Sequence, residues 1–408
     1  MASIRRRMAS GDKPYRVYRG GRTKGRVPLA TRPEPGRGRD GGEGGGSKGR
    51  DRADQPRRKR QTTWTKKTWF GFAFLLLVVV FVVWAVTSYL AFRKGVEHAN
   101  KRAAAVPGLQ RALAAQDGLL LSRPTNILVL GTDHANTDAR VGLQHSDSIM
   151  LVRTDPARHR ITYLSIPRDL RVSIPGHGDD KINAAYQIGG PALAVRTVDS
   201  LLGAPLQVNH VVLVEFDGFR ELIDDLGGVT IDVPKPLLSD KFDCPYSAAR
   251  CERWKGWRFA KGPQHMSGQR ALVYSRIRVA QNSNESDITR GERQQAVLQA
   301  LMGKITSPGT LLRLPTRGDK LLRPLATDLT AGQLLQLGWV KFRAPASHAL
   351  HCRLGGTAAT IGSQSVITGS EENIAVVHMV TGDSAPQPPP PGSGPYGPGC
   401  VVGSKSLH

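Results

Sequence analysis

The 408-residue sequence predicts an α/β sandwich carried behind a single membrane-spanning helix. Three observations predict it. Short apolar runs that end on glycine or an acid alternate with longer segments of helical period, as in a layered α/β domain. Residues 69–92, WFGFAFLLLVVVFVVWAVTSYLAF, are 24 residues without a charge, long enough to cross a bilayer. All four cysteines, Cys244, Cys251, Cys352 and Cys400, follow that stretch, an even number suited to disulfides in an oxidising compartment.

Residues 1–67 hold 21 Lys or Arg against 6 Asp or Glu, a net +15 of the +24 carried by the whole chain, with almost no apolar cluster. They predict a disordered basic tail. Alone, such a tail would suit a nucleic-acid arm. Beside a membrane span it has a simpler reading. The excess of positive charge in QPRRKRQTTWTKK over RKGVEH keeps the N-terminus in the cytoplasm, with residues 93–408 outside and the tail against anionic lipid. The membrane is an expected partner and nucleic acid is not. Residues 69–92 are too long for a signal-peptide core and lack a small-residue cleavage site after them, so they read as a signal anchor.

Residues 93–123 read as a helical stalk interrupted at Pro107, with the folded domain expected over 124–345. NILVLGTD, ending on Asp133, is a short apolar strand. HSDSIMLVRTD is a second, entered through His145 and Asp147, and RITYLSIPRDLRVSIPG a third, whose end carries Arg168 and Arg171. Ligands collect at such strand ends in open α/β sheets. KINAAYQIGGPALAVRTVDSLLG, beginning at Lys181, reads as helical pieces. HVVLVEFDGF is a strand running into FRELIDDLGG, a helix that Gly227 and Gly228 can close, and VTIDV is a further strand. Residues 234–263 form an insertion with the first cysteine pair and the aromatics of ERWKGWRF, either a stapled loop over the site or a satellite cluster. LVYSRIRV has strand character, and a period of two sets Tyr274, Arg276 and Arg278 on one face. DLTAGQLLQLGWVKF carries a capping box in Thr330 and Gln333 and reads as a packing helix. Residues 346–408 are expected to be an extension with an extended Pro-rich linker, SAPQPPPPGSGPYGPG, tied back through Cys400. The expected pairing is Cys244 with Cys251 and Cys352 with Cys400, because the first pair is local. A zinc site is disfavoured, since its short-gap cysteine pairs are missing. No internal repeat is visible, and the sequence carries no signal for an oligomeric state.

The helix expected from Asp287 to Ile305, with Ser286 as its N-cap, departs from ordinary amphipathicity. At ~100° per residue, Asp287, Arg290 and Gln294 fall within roughly 60° of one another, on the stripe that continues through Leu298, Leu301 and Ile305. A stripe that carries both core and charge turns its polar members into a pocket that must satisfy them. Arg276, Arg278, Arg290 and Arg293 thus converge from two adjacent segments, and mutually repelling cations call for a polyanion. The competing reading is a solvated basic face with Asp287 as a local ion-pair partner; the shared stripe argues against it.

Asp133 and Asp147 flank one loop at strand-edge positions. Each alone is as well explained as a turn former. Together, and opposite Arg168, Arg276, Arg278 and Arg290, they suit a hard cation, Mg²⁺ or alternatively Mn²⁺, and an arginine clamp for a pyrophosphate. His134, His145 and His177 are candidate ligands or bases, or polar surface. Lys181 is a candidate phosphate contact or a solubilising charge.

These segments, GTD, HSDSIMLV, SIPRDLRVSIPG, KINAAYQIGG, VEFDGFRELIDDLGGVTIDV, ALVYSRIR and DITRGERQQ, resemble in that order the LytR-CpsA-Psr family of Gram-positive envelope proteins, over roughly residues 124–305. The resemblance implies an α/β/α sandwich with a central mixed sheet and an apolar tunnel for a polyprenyl chain. It also implies a phosphotransferase that moves a glycopolymer from a polyprenyl-pyrophosphate carrier onto peptidoglycan. Asp133 and Asp147 match the family's metal-linked acids, Arg168 its arginine after SIP, and Arg276 and Arg278 its RxR pair. Asp287, Arg290, Arg293 and Gln294 match its DxxRxxRQQ helix. One position departs: His145 stands where the family carries arginine. The same groups would also serve a receptor that binds the carrier without transfer, or a hydrolase that releases the polymer to water.

Overall fold

Three runs with a period of two set the layering of the molecule. The computed structural model describes residues 66–116, 118–133, 145–283, 285, 287–322, 325–394 and 396–403. The expected tail lies outside these except for Lys66 and Lys67, as do His134 and Ser286. Of Asp133, His145, Asp147 and Asp287 only the backbone is described. The three runs form β1 (Thr125–Asp133), β2 (His145–Asp155) and β3 (Arg160–Ile166). Leu128, Leu130, Ile149, Leu151, Leu164 and Ile166 enter one core. Met150, Ile161 and Tyr163, with Val129 and Val152 beside them, face the opposite side. Each fully buried leucine on the first face contributes about 1.5–3 kcal/mol through its removal from water.

Ahead of the sheet, α1 (Lys66–Ala104) is one continuous helix and α2 (Leu109–Ala112) follows the break at Pro107. The first part of α1 is exposed and apolar, and among the described residues it is the one helix long and apolar enough to cross a membrane, with a mean hydropathy of 2.7. Its last turns differ. Val96, Ala99, Ala103, Leu109 and Leu120 are buried, so the stretch expected as a stalk is anchored to the folded unit through these described residues.

The expected third strand, residues 160–176, is two strands in two sheets. Pro167 has no N–H for a ladder and turns the chain after β3, and β4 (Leu170–Ile174) pairs with β5 (Gly178–Lys181) instead. Next comes α3 (Ala184–Leu202), which covers the first core and kinks where Gly190 takes φ 63° just before Pro191. β6 (His210–Glu215) joins β1 in parallel and leads into α4 (Phe216–Asp225). β7 (Val229–Val233) stays out of the central sheet and pairs with β10. Between them the insertion folds as β8 (Leu237–Leu238), α5 (Ala248–Arg253) and β9 (Arg258–Phe259), before β10 (Gly262–Met266).

Residues 272–279, expected as a strand, begin inside a helix, α6 (Gly268–Arg276), with Ser267 as N-cap. Ala271 through Ser275 are all buried, so neither period shows in the pattern and tertiary packing decides. The helix α7 (Asp287–Ile305) follows, then α8 (Pro308–Leu312) and α9 (Leu314–Leu321). After β11 (Leu325–Thr327), α10 (Ala331–Arg343) starts at the expected capping box of Thr330 and Gln333.

The chain beyond residue 345 is not an appendage. β12 (Leu350–Arg353) pairs in parallel with β3, and β13 (Gly356–Ile361) and β14 (Gln364–Gly369) extend the sheet of β4. Then α11 (Glu372–Thr381) packs on the first core and β15 (Gly399–Val402) closes the edge. The central sheet is mixed and seven-stranded, in the order β11-β6-β1-β2-β3-β12-β15. Helices α3 and α11 lie on one face and α7 and α10 on the other, an α/β/α sandwich. Disulfides join Cys244 to Cys251 and Cys352 to Cys400, the second directly across β12 and β15.

Candidate active site

On its second face the sheet and the helices touch at their margins and leave a space between them. Val129, Met150, Val152, Tyr163 and Val212 of the strands and Val297, Leu298, Leu301, Leu334 and Leu337 of α7 and α10 surround a cavity of about 1000 Å³. Its walls are apolar along most of their length. One end is charged, because α7 brings Arg290 and Gln294 down on the stripe that Leu298, Leu301 and Ile305 continue. Arg290 is 4% exposed. A guanidinium held at the junction of an apolar cavity and a polar rim has no bulk water to compensate it, which strengthens its field on an anion.

Arg168, Lys181, Arg276 and Arg278 line the same end. Pro167 supplies the turn that aims Arg168, whose Nε lies 3.4 Å from Asp169 Oδ2; Lys181 Nζ is 2.9 Å from Asp169 Oδ1. Asp169 thus links two cations, a role the sequence reading missed although the residue sits beside Arg168. Arg278 leaves α6 two residues past its end, so the two arginines of ALVYSRIR reach one place without a strand between them. The insertion contributes as well. Phe242 lines the cavity, Asp243 is paired with Arg276, and the Arg276 guanidinium lies 4.9 Å from the Phe216 ring centroid. Of its other aromatics, Trp257 and Phe259 pack into a separate core with α4, β7 and α6, so part of the insertion is a satellite cluster while Phe242 brings the loop to the cavity.

Arg293 is not brought to the cavity. Its Nε donates to the Tyr274 carbonyl at 3.1 Å, and its terminal nitrogens engage the Ile277 carbonyl and Glu285. It therefore caps the C-terminal end of α6 and partners a carboxylate whose side chain is fully enclosed. Burial acts to raise the Glu285 pKa, but the Thr289 hydroxyl and the Arg293 charge outweigh it and hold the group at about 2. His177 is exposed in the turn between β4 and β5 and does not line the cavity.

At the charged end the β1–β2 ladder bulges. Gly131 pairs with Ser148 and Thr132 with Ser146, so Asp147 is the extra residue, while Asp133 pairs with His145. Bulges re-aim side chains next to sites. Ser148 Oγ donates to Gln294 Oε1 at 2.9 Å, which ties this end of β2 to α7. The backbones of both acids belong to the same end of one strand pair.

The LytR_cpsA_psr family model matches residues 88–378. TagV of Bacillus subtilis, a polyisoprenyl-teichoic acid--peptidoglycan teichoic acid transferase, is 34% identical over 52% of this chain and 52% of its own length, so the match spans about half of that relative. Its crystal structure matches over 64% of this chain and 97% of the crystallised chain, at a TM-score of 0.53 and 27% identity. The structure of TagT bound to LIIa-WTA matches over 66% of this chain and 94% of the chain in that structure, at a TM-score of 0.51 and 25% identity. Regulatory protein MsrR of Staphylococcus aureus is 33% identical over 63% of this chain and 70% of MsrR. With the ordered motifs, the mixed sheet and the charged apolar cavity in place, this chain belongs to the LytR-CpsA-Psr family.

Proposed function

We propose that the protein is a membrane-anchored phosphotransferase that moves a glycopolymer from a polyprenyl-pyrophosphate carrier onto peptidoglycan. The observation that carries this reading is the continuity of one cavity from apolar walls to a cluster of cations. A lipid tail and a pyrophosphate need such surfaces in that order. TagV, named as a teichoic acid transferase, supports it.

Arg168, Arg276, Arg278 and Arg290 grip the pyrophosphate, with Lys181 and Gln294 at its edge. His145, paired through its backbone with Asp133, would donate to a phosphate oxygen, as a cation only when protonated. Asp133 and Asp147 would hold Mg²⁺, or Mn²⁺ in its place, which when bound neutralises pyrophosphate charge. A peptidoglycan sugar hydroxyl attacks the sugar-proximal phosphorus, and its proton passes to one of these acids. The bond from that phosphorus to the bridging oxygen breaks and polyprenyl phosphate leaves. The product is a phosphodiester between polymer and wall. In this reading the N-terminus is cytoplasmic and the catalytic domain lies outside the cell membrane.

The second reading is a receptor that holds the carrier without transferring it, favoured by His145 in place of the family arginine and by the regulatory name of MsrR. Incubating the protein with a polyprenyl-pyrophosphate oligosaccharide and a peptidoglycan fragment, with and without Mg²⁺, separates them by mass spectrometry. A metal-dependent conjugate, lost in Asp147→Ala and Arg290→Ala, is the expected result. Tight lipid binding without turnover would establish the receptor, and free oligosaccharide phosphate would establish hydrolysis.

A further inference from the structure

The segment between α7 and α9 meets the apolar part of α1 at a level that fixes its surroundings. Trp84 Nε1 donates to the Leu312 carbonyl at 3.3 Å. A bilayer's hydrocarbon takes about 20 helical residues, and any such window within residues 69–92 contains Trp84. Its outer boundary then falls four to eight residues beyond Trp84, or roughly 6–12 Å along the helix. Whatever touches Trp84 lies at or below the bilayer surface.

We propose that residues 308–312 dock into the outer leaflet beside α1 and seat the whole domain on the lipid surface. The inference rests on reading α1 as a membrane span, and it does not depend on the transfer chemistry. Leu311 and Leu312 are 42% and 71% exposed, and no charge stands between Lys304 and Arg313. The backbone is prepared for a medium without water. Ser307 caps α8, the Thr310 hydroxyl donates to the Lys304 carbonyl at 2.8 Å, and Trp84 serves the Leu312 carbonyl. Lys304 and Arg313 flank the segment, as cations flank interfacial anchors facing anionic headgroups.

The arrangement is held by a close helix contact. A Cβ at Gly318 would come within 2.9 Å of the Phe92 backbone nitrogen, so α9 lies directly on α1 with no side chain between them. Phe92, the last residue of the uncharged run, lines the cavity together with Ile305, Thr306 and Leu322. Docking of residues 308–312 therefore places that apolar end of the cavity beside the leaflet, where an isoprenoid tail passes between bilayer and protein without crossing water.

The test uses the full chain in nanodiscs, where the described cysteines are paired and a single introduced thiol can carry a fluorophore. Labels at Leu312→Cys, at Val80→Cys within the apolar run and at Ile374→Cys on exposed α11 are compared for quenching by lipids with a spin label near the headgroup or deep in the chain. Circular dichroism confirms folding of each. Leu312 is expected to be quenched several-fold more than Ile374. Quenching of Val80 with Leu312 no different from Ile374 would overturn the docking alone. Failure of Val80 to be quenched would remove the span and the proposal together.

Discussion

At the scale of single residues, the two arginines of one helix turn do opposite work. Arg290 faces the cavity and Arg293 holds the end of α6. Arg290→Ala is expected to lower turnover by about 100-fold or more, as loss of a preorganised charge does, with a small change in melting temperature. Arg293→Ala should instead cost about 3 kcal/mol of stability in urea denaturation, because Glu285 keeps its charge in an enclosed site where, among the described residues, Lys235 is its other cation. Equal effects of the two substitutions on stability and activity would refute the division. His351 makes a pH-dependent contribution. It stacks on Tyr163, its Nδ1 lies 2.8 Å from Gln295 Oε1, and burial lowers its pKa from 6.5 to about 4. The unfolded chain takes up the proton first, so this contribution is complete above pH 6.5 and is lost as pH falls toward 4. It amounts to at most about 3 kcal/mol. Thermal melts from pH 7 to 4 should show the slope, and His351→Phe should flatten it.

Among the elements, those whose signals are local were legible. The capping box opens α10 where the Thr330–Gln333 pattern put it, and Thr330→Ala is expected to cost about 1 kcal/mol by denaturant titration without altering the cavity. The stripe of α7 was legible for a different reason. A helix must turn its 3.6-residue face somewhere, and placing Arg290 and Gln294 above Leu298 and Leu301 leaves the cavity as the common destination. The helix α6 was not legible. Its consecutive buried residues erase the periodicity that separates helix from strand, and the group that caps its end, Arg293, lies 19 and 16 residues beyond the Tyr274 and Ile277 carbonyls it meets. The convergence of Arg276 and Arg278 survived this error because both sit at the end of the element, where the chain turns toward the cavity.

Across the whole molecule, the cavity is the feature on which function depends. Leu298 lines it without being fully buried, so Leu298→Trp has space to extend into it. The expected outcome is an unchanged melting temperature, tenfold or weaker binding of a long prenyl pyrophosphate, equivalent to about 1.4 kcal/mol, and unchanged binding of a short-chain analogue. Isothermal titration against both ligands checks it. Parallel loss of both affinities would place the lipid elsewhere.

By itself, the sequence determined the length of the apolar run, the strands β1, β2, β6 and β7, the inward stripe of α7 that carries Arg290 and Gln294, and the capping of α10. These follow from composition, period and neighbours a few residues apart. Tertiary structure alone decided that β12 and β15 complete the central sheet, that Val96, Ala99, Ala103, Leu109 and Leu120 pack into the domain, and that Arg293 supports the fold instead of lining the site. The physical reason is the same in each case. Strand partners, buried faces and the carbonyls a guanidinium caps lie far away in sequence, and a side chain's task is set by the groups it meets after the chain has closed around it.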